Sequence, residues 1–444
     1  MPLSILCIHH SPRLTYSLEL IFRHILAIPY QLVSSAPSHS GPMICYGSHD
    51  EPGSLHIPDA GLLWEKGIHW PTPLVRGTHY PIIFSSSEAA YESAESHTFP
   101  FDIFSSVFWL CSEYAHYQHP DTDQHGRYLE GELLTALMPE DGPLVHRWVH
   151  ELKCWLFQAF PQLAQEQAKQ VRAHRITFDL DQPWKYRHKG LHIQLAGLLR
   201  DIASAKWARA GERIQTFRSG HDPFDTFDRI QELCPISHTT FFILLERRHL
   251  HDSRFTWRHP LWREKIASLH RAGYQIGIHP SYSTSDHQGL IEEESHRLKD
   301  ITGEMPTTAR MHFLRYQLPD TRRQLLEAGI REDYTPCRFA TGGFPNGMAI
   351  PYPWYDLLLE RQTDLMLVPS TLMDRTLVSY LSQTPESARE LLGTYLKWVK
   401  WANGSFVVCL HNDCLSESEE WKGWSALFTD FIQQLITSPS NEPL

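Results

Sequence analysis

Arg175-Ile176-Thr177-Phe178-Asp179-Leu180-Asp181 is the stretch on which the fold turns. Four residues suited to a buried strand run into two carboxylates spaced two apart, and Gln182-Pro183 follows. Both carboxylates can reach one site if the chain turns there, one binding a cation while the other handles a proton. Taken alone, the same residues also read as an ordinary turn.

Working outward, the strand is the first of a series. Strands are predicted at 175–178, 240–245, 274–278, 308–313, 331–334, 364–368 and 405–410, with helical stretches at 191–207, 262–272, 289–301, 321–328 and 385–401. Strands alternating with helices imply parallel pairing, and seven of them predict a distorted (β/α)7 barrel, with a doubly wound open sheet as the competing architecture. Upstream, short apolar runs at 4–8 and 81–84 and helical aromatic spacing at 101–117 and 144–160 predict a smaller α/β or α+β domain. The polar, Gln- and Ala-rich segment 161–174 is the predicted boundary, giving domains at 1–165 and 170–435.

The 444 residues carry 40 basic and 51 acidic side chains, a net charge of −11, which speaks against a nucleic-acid footprint. With 42% hydrophobic and 12% aromatic residues, the chain can build sizeable cores. No apolar run approaches the ~20 residues of a membrane-spanning helix. The start, from Met1 to Leu20, lacks the pattern of a secretory signal. Eight scattered cysteines form no CxxC pair and read as reduced core residues. The expectation is a cytoplasmic protein.

Barrel active sites are assembled from the carboxyl ends of strands. Those ends carry Asp179 and Asp181, His279 within Gly277-Ile278-His279-Pro280-Ser281-Tyr282-Ser283, the run Arg310-Met311-His312-Phe313-Leu314-Arg315, Asp333, and His411. Arginine clamps a carboxylate through a two-pronged hydrogen bond. A histidine at the end of the apolar run 406–410 suits general acid–base work. Each signal alone is weak, and together they point to a metal-assisted hydrolase.

This order of residues resembles the NodB-type polysaccharide deacetylases, carbohydrate esterase family four, over roughly residues 170–415. Thr177-Phe178-Asp179-Leu180-Asp181 is similar to that family's first motif, His279 to the first histidine of the second, Arg310 to the arginine of the third and Leu410-His411 to the last, while Asp333-Tyr334 matches the fourth only loosely. Phe101-Asp102-Ile103-Phe104-Ser105, the run 220–227 from Gly220 to Phe227, the run 277–282 and His411-Asn412 resemble a bacterial subgroup in which an uncharacterised domain precedes the barrel. In that subgroup an arginine is expected where Pro345 stands.

The resemblance implies a divalent cation, zinc first, on Asp181 and His279, and removal of acetyl groups from N-acetylated sugars. Asp179 would be the catalytic base held by Arg310, and His411 the acid with Asp333 as its orienting partner. Ser283 stands where the family has its second histidine, which leaves the cation site weak or absent unless His312 supplies the third ligand; His287 is a more distant substitute. Phe313 occupies the place of a tyrosine whose backbone N–H faces the oxyanion, and Trp184 and Tyr282 are the first candidates to stack on sugar. The alternative is a catalytically silent barrel that binds a glycan or a biosynthetic partner.

Overall fold

The computed structural model describes residues 2–36, 41–47, 51–76, 80–85, 97–138, 142–168 and 170–438. The tail beyond 438 lies outside them. No helix among the described residues is long and apolar enough to cross a membrane. In chain order the strands are β1 (Leu3–Leu6), β2 (Tyr30–Val33), β3 (Met43–Tyr46), β4 (Leu55–Ile57), β5 (Arg175–Leu180), β6 (Thr239–Ile243), β7 (Gln275–Ile278), β8 (Thr308–Ala309), β9 (Glu332–Asp333), β10 (Tyr352–Asp356), β11 (Arg361–Leu367), β12 (Leu372–Met373) and β13 (Val407–His411).

The chain divides into two compact units, one holding Met1–Val171, Gly343–Pro369 and Trp401–Gly404, the other Arg172–Gly342, Ser370–Lys400 and Ser405–Leu444. The uninterrupted second domain read from the sequence is therefore corrected, because 343–369 and 401–404 cluster with the N-terminal residues.

In the first unit four strands pair in parallel in the order β2-β1-β3-β4, an α/β arrangement. The helix Pro12–Leu18 begins where the Ser11 side chain accepts the Leu14 N–H, with Pro12 at its first position. Asp102 caps the buried helix Ile103–Cys111 by accepting the Ser105 N–H, so the Phe101–Ser105 motif is a capped helix start. The helix predicted over 101–117 breaks at Glu113, whose backbone is left-handed (φ 57°), and resumes as Tyr114–Gln118. The strand predicted at 364–368 is present with an earlier start and an antiparallel partner. It belongs to β11, which pairs antiparallel with β10 in this unit. Pro353 within β10 masks that strand from a propensity reading.

In the second unit seven strands run in the order β9-β8-β7-β6-β5-β13-β12, all parallel. The central strands β5, β6 and β13 are largely apolar, as expected of strands covered on both faces: Ile176, Phe178, Leu180, Phe241, Phe242, Ile243 and Val407 to Leu410 are all buried. The helices Pro260–Arg271, Leu290–Thr302 and Asp320–Glu327 connect β6 to β7, β7 to β8 and β8 to β9. The seventh parallel strand is β12, two residues long and not predicted. Between the ends of this order, β9 and β12, the described residues contain no ladder; one isolated parallel bridge joins Cys337 to Ser370. The seven parallel strands are present, whereas closure by a continuous ladder is not.

Candidate metal centre

The spacing in β5 does the first work. Residues two apart share a face of a strand, and Thr177, Asp179 and, just past the strand, Asp181 follow one another along that face. Arg310, fully buried, fills the space beside them. Its Nη1 donates to Asp179 Oδ1 at 2.7 Å, its Nη2 to Thr177 Oγ1 at 2.8 Å and Ser370 Oγ at 3.1 Å, and its Nε to the Tyr334 carbonyl at 3.2 Å. The guanidinium also lies 4.7 Å from the Phe242 ring centroid. Burial works against the charge of Arg310, but Asp179 outweighs it and raises the pKa further. On its other oxygen Asp179 accepts from Cys409 Sγ at 3.3 Å. Burial pushes that thiol well above its ordinary value, which keeps it a donor.

Three imidazoles meet Asp181. His279 Nε2 lies 3.3 Å from Oδ1, while His312 Nε2 and His411 Nε2 lie 3.6 and 3.5 Å from Oδ2. Each ring is fixed from behind. His279 Nδ1 donates to the Arg310 carbonyl, His312 Nδ1 lies 3.0 Å from Asp252 Oδ1, and His411 Nδ1 lies 2.8 Å from Asp374 Oδ1. A ring nitrogen committed to an oxygen acceptor turns the other nitrogen to the site, which is how ligating histidines are oriented. The Asp181, His279 and His312 donor atoms lie within 4.8 Å of one another. Asp181 Oδ1 is buried and accepts no hydrogen bond. With His279 Nε2 beside that orphaned oxygen and His312 Nε2 beside the other oxygen of the same carboxylate, the donor set fits a divalent cation held by one carboxylate and two imidazole nitrogens.

The charges are coupled. Burial disfavours ionisation of Asp181, yet His312 and His279 hold its carboxyl well below the usual range. Burial likewise opposes the charged imidazoles, but Asp181 and Asp252 push His312 up to about 9, and Asp374 with Asp181 push His411 up to about 10. Against their own burial, Asp252 is held low chiefly by His312 and Asp374 chiefly by His411.

The structure thus brings Asp179, Asp181, His279, Arg310, His312 and His411 together, and places other expected residues elsewhere. Asp333 is buried with other partners: it accepts the Thr335 N–H at 2.8 Å and lies 3.7 Å from Arg322 Nε. The carboxylate behind His411 is Asp374, delivered by the end of β12. His287 is exposed and turns its Nδ1 to the Ser283 carbonyl at 3.0 Å. Trp184 is 3% exposed, packed edge-on against Phe255 and Trp262, and donates to Asp225. Tyr282 stacks on His249 at 4.4 Å and receives the Arg315 guanidinium 4.0 Å from its centroid. Both rings pack against protein neighbours and show little surface. Phe313 is half-buried, left-handed at φ 59°, and edge-on to His312.

Asp252 and Asp374 were not anticipated from the sequence. Asp374 follows the pair Leu372-Met373, too short a run to register as a strand, and Asp252 sits in a loop with no periodicity. The 220–227 and 411–412 motifs act through the loops. Asp222 accepts the backbone N–H groups of Lys185, Tyr186 and Arg187, each at 2.8 Å. Asn412 Nδ2 donates to the carbonyls of Gln182 and Phe224, and its own carbonyl accepts from Thr226 Oγ1. Together they tie the chain after Asp181 to the chain after His411.

Residues 3–161 match a sequence family described as a family of unknown function (DUF7033). No curated protein matches the chain. Among solved structures the chain is similar to a Mycobacterium smegmatis protein assigned to the polysaccharide deacetylases, at 17% identity over 60% of this chain and 84% of that one, with a TM-score of 0.37. It is similar to a 4-alpha-glucanotransferase from Thermococcus litoralis at 11% identity, over 62% of this chain and 39% of that one, with a TM-score of 0.36. A polysaccharide deacetylase from Bacillus cereus shares 11% identity over 59% of this chain and 88% of its own length, with a TM-score of 0.28.

Proposed function

We propose that the chain is a metal-dependent hydrolase of the polysaccharide deacetylase type, acting on N-acylated sugars from a distorted (β/α)7 barrel. The reading rests on one observation, the convergence of three imidazoles on Asp181, each with its far nitrogen fixed by an oxygen. The motif resemblance adds the class of reaction, and the bridge between Cys337 and Ser370 supports the barrel.

Asp181, His279 and His312 would hold the cation, His312 standing in for the histidine that Ser283 replaces. When bound, a divalent ion supplies Lewis acidity and lowers the pKa of a coordinated water from 15.7 toward about 7. Asp179, oriented by Arg310, is placed to take a proton from the attacking water. His411, held by Asp374, is placed to give one to the departing amine.

The test is zinc stoichiometry together with acetate release from N-acetylglucosamine oligomers. The expected outcome is one tightly held ion per chain and turnover, both lost in His279→Ala. A chain that binds no zinc, and whose stability ignores chelator, would instead favour the silent binding barrel.

A further inference from the structure

A cavity of about 790 Å³ opens from Asp181 and His411, within the second unit. Eight of its lining residues are lysine or arginine and three are aspartate or glutamate, in a chain whose net charge is −11. Some of these cations are already matched. Arg213 is held by Asp201 and Gln194, Lys185 pairs with Glu212 at 2.6 Å, and Arg375 pairs with Asp413 and Glu420. Lys189, Arg200, Lys206 and Arg254 have no carboxylate in ion-pair distance among the described residues. The Lys189 ammonium donates to the Lys185 carbonyl at 2.8 Å. Burial, opposed by Asp222 and reinforced by Arg254, Arg213 and Lys185, pushes it down to about 8.

Arg200, Lys206 and Arg254 are exposed and Lys189 is half-buried, so the four form an open cationic rim beside Asp181 and His411. A neutral glycan would leave that rim to solvent, and a single uronate carboxylate would engage one of the four. Phosphate groups spread charge over several acceptor oxygens, which suits both ammonium donors and guanidinium forks. We propose that the sugar acted on here carries a phosphate or diphosphate, seated among Lys189, Arg200, Lys206 and Arg254 while its acylamino group reaches Asp181 and His411. The inference rests on reading the Asp181 cluster as a deacylation centre. It makes the substrate an activated sugar, linked to a nucleoside or a lipid through that group, in place of a finished neutral polymer.

The experiment titrates the zinc-loaded full chain with three probes: UDP-N-acetylglucosamine, a short-chain prenyl diphospho-N-acetylglucosamine, and neutral tri-N-acetylchitotriose. At least one diphosphate is expected to bind tenfold or more tightly than the neutral trimer, with affinity falling as salt rises. Which of the two is preferred identifies the source of the diphosphate. In Lys189→Ala/Arg254→Ala that preference falls at least tenfold while zinc content is unchanged. Arg254→Glu, at an exposed position, reads the same loss should the double variant fail to fold. Equal affinity for the neutral trimer, or an undiminished preference in both variants, overturns the proposal. Retained zinc and deacetylation without a diphosphate preference removes the anion seat alone. Loss of zinc binding and deacetylation with the preference intact removes the metal-hydrolase reading instead.

Discussion

Asp374 governs the proton on His411. The carboxylate accepts both the backbone N–H of His411 at 2.7 Å and its ring Nδ1 at 2.8 Å, and it is fully enclosed. In Asp374→Asn the ring keeps a hydrogen-bond partner and loses the anion that raises its pKa. The expected result is a fall in kcat of roughly 10²- to 10⁴-fold, with zinc content unchanged. The limb of the kcat/KM profile belonging to His411 should move to lower pH, a shift that a merely structural role would not produce. His174 makes a separate prediction about stability. It is buried, and its Nδ1 accepts the Phe406 N–H at 3.0 Å. Burial, with Lys400 and His238 adding, pushes it down to about 4. An unfolded histidine titrates near 6.5. Between those values the unfolded chain binds the extra proton, so this contribution is complete above about pH 6.5 and is lost as pH falls toward 4. The loss amounts to at most about 3 kcal/mol. Urea unfolding across that range should show the decline in the native protein and a flatter profile in His174→Gln.

Strand ends explain why much of the site was legible in the sequence. A buried parallel strand is an apolar run, so a polar residue at its carboxyl end stands out, as Asp179 does after β5's core and His411 after Val407 to Leu410. Alternation then sets Thr177, Asp179 and Asp181 on one face. The partners behind the histidines were hidden because they depend on tertiary placement. Asp374 follows a two-residue strand, Asp252 lies in a loop, and Asp333, at an equally plausible strand end, pairs elsewhere. The hairpin of β10 and β11 was hidden for a related reason, since no local pattern says which partner a strand takes. Close packing between strands is also testable. A Cβ at Gly277 of β7 would lie 2.6 Å from Thr308 Oγ1 and 2.7 Å from the Phe242 ring. Gly277→Ala should cost about 1–3 kcal/mol by urea unfolding, as overpacking does. His279 lies two residues on, so zinc affinity should weaken in the same variant.

At the scale of the whole molecule, a cation at this centre would cross-link segments distant in the chain. Asp181, His279 and His312 come from β5, β7 and the turn after β8, and the unfolded chain offers no such constellation. An ion that binds only the folded state stabilises it by RT ln(1 + [L]/Kd), about 2.7 kcal/mol at a hundredfold excess over Kd. For a unit of this size the corresponding rise in Tm is roughly 5–10 °C. Calorimetry with zinc and then with chelator should therefore show a reversible shift that grows with the logarithm of free zinc. The shift should vanish in His312→Ala but persist in Asp374→Asn, because only the first variant removes a proposed ligand. An equal shift in His312→Ala would mean that zinc acts elsewhere on the chain.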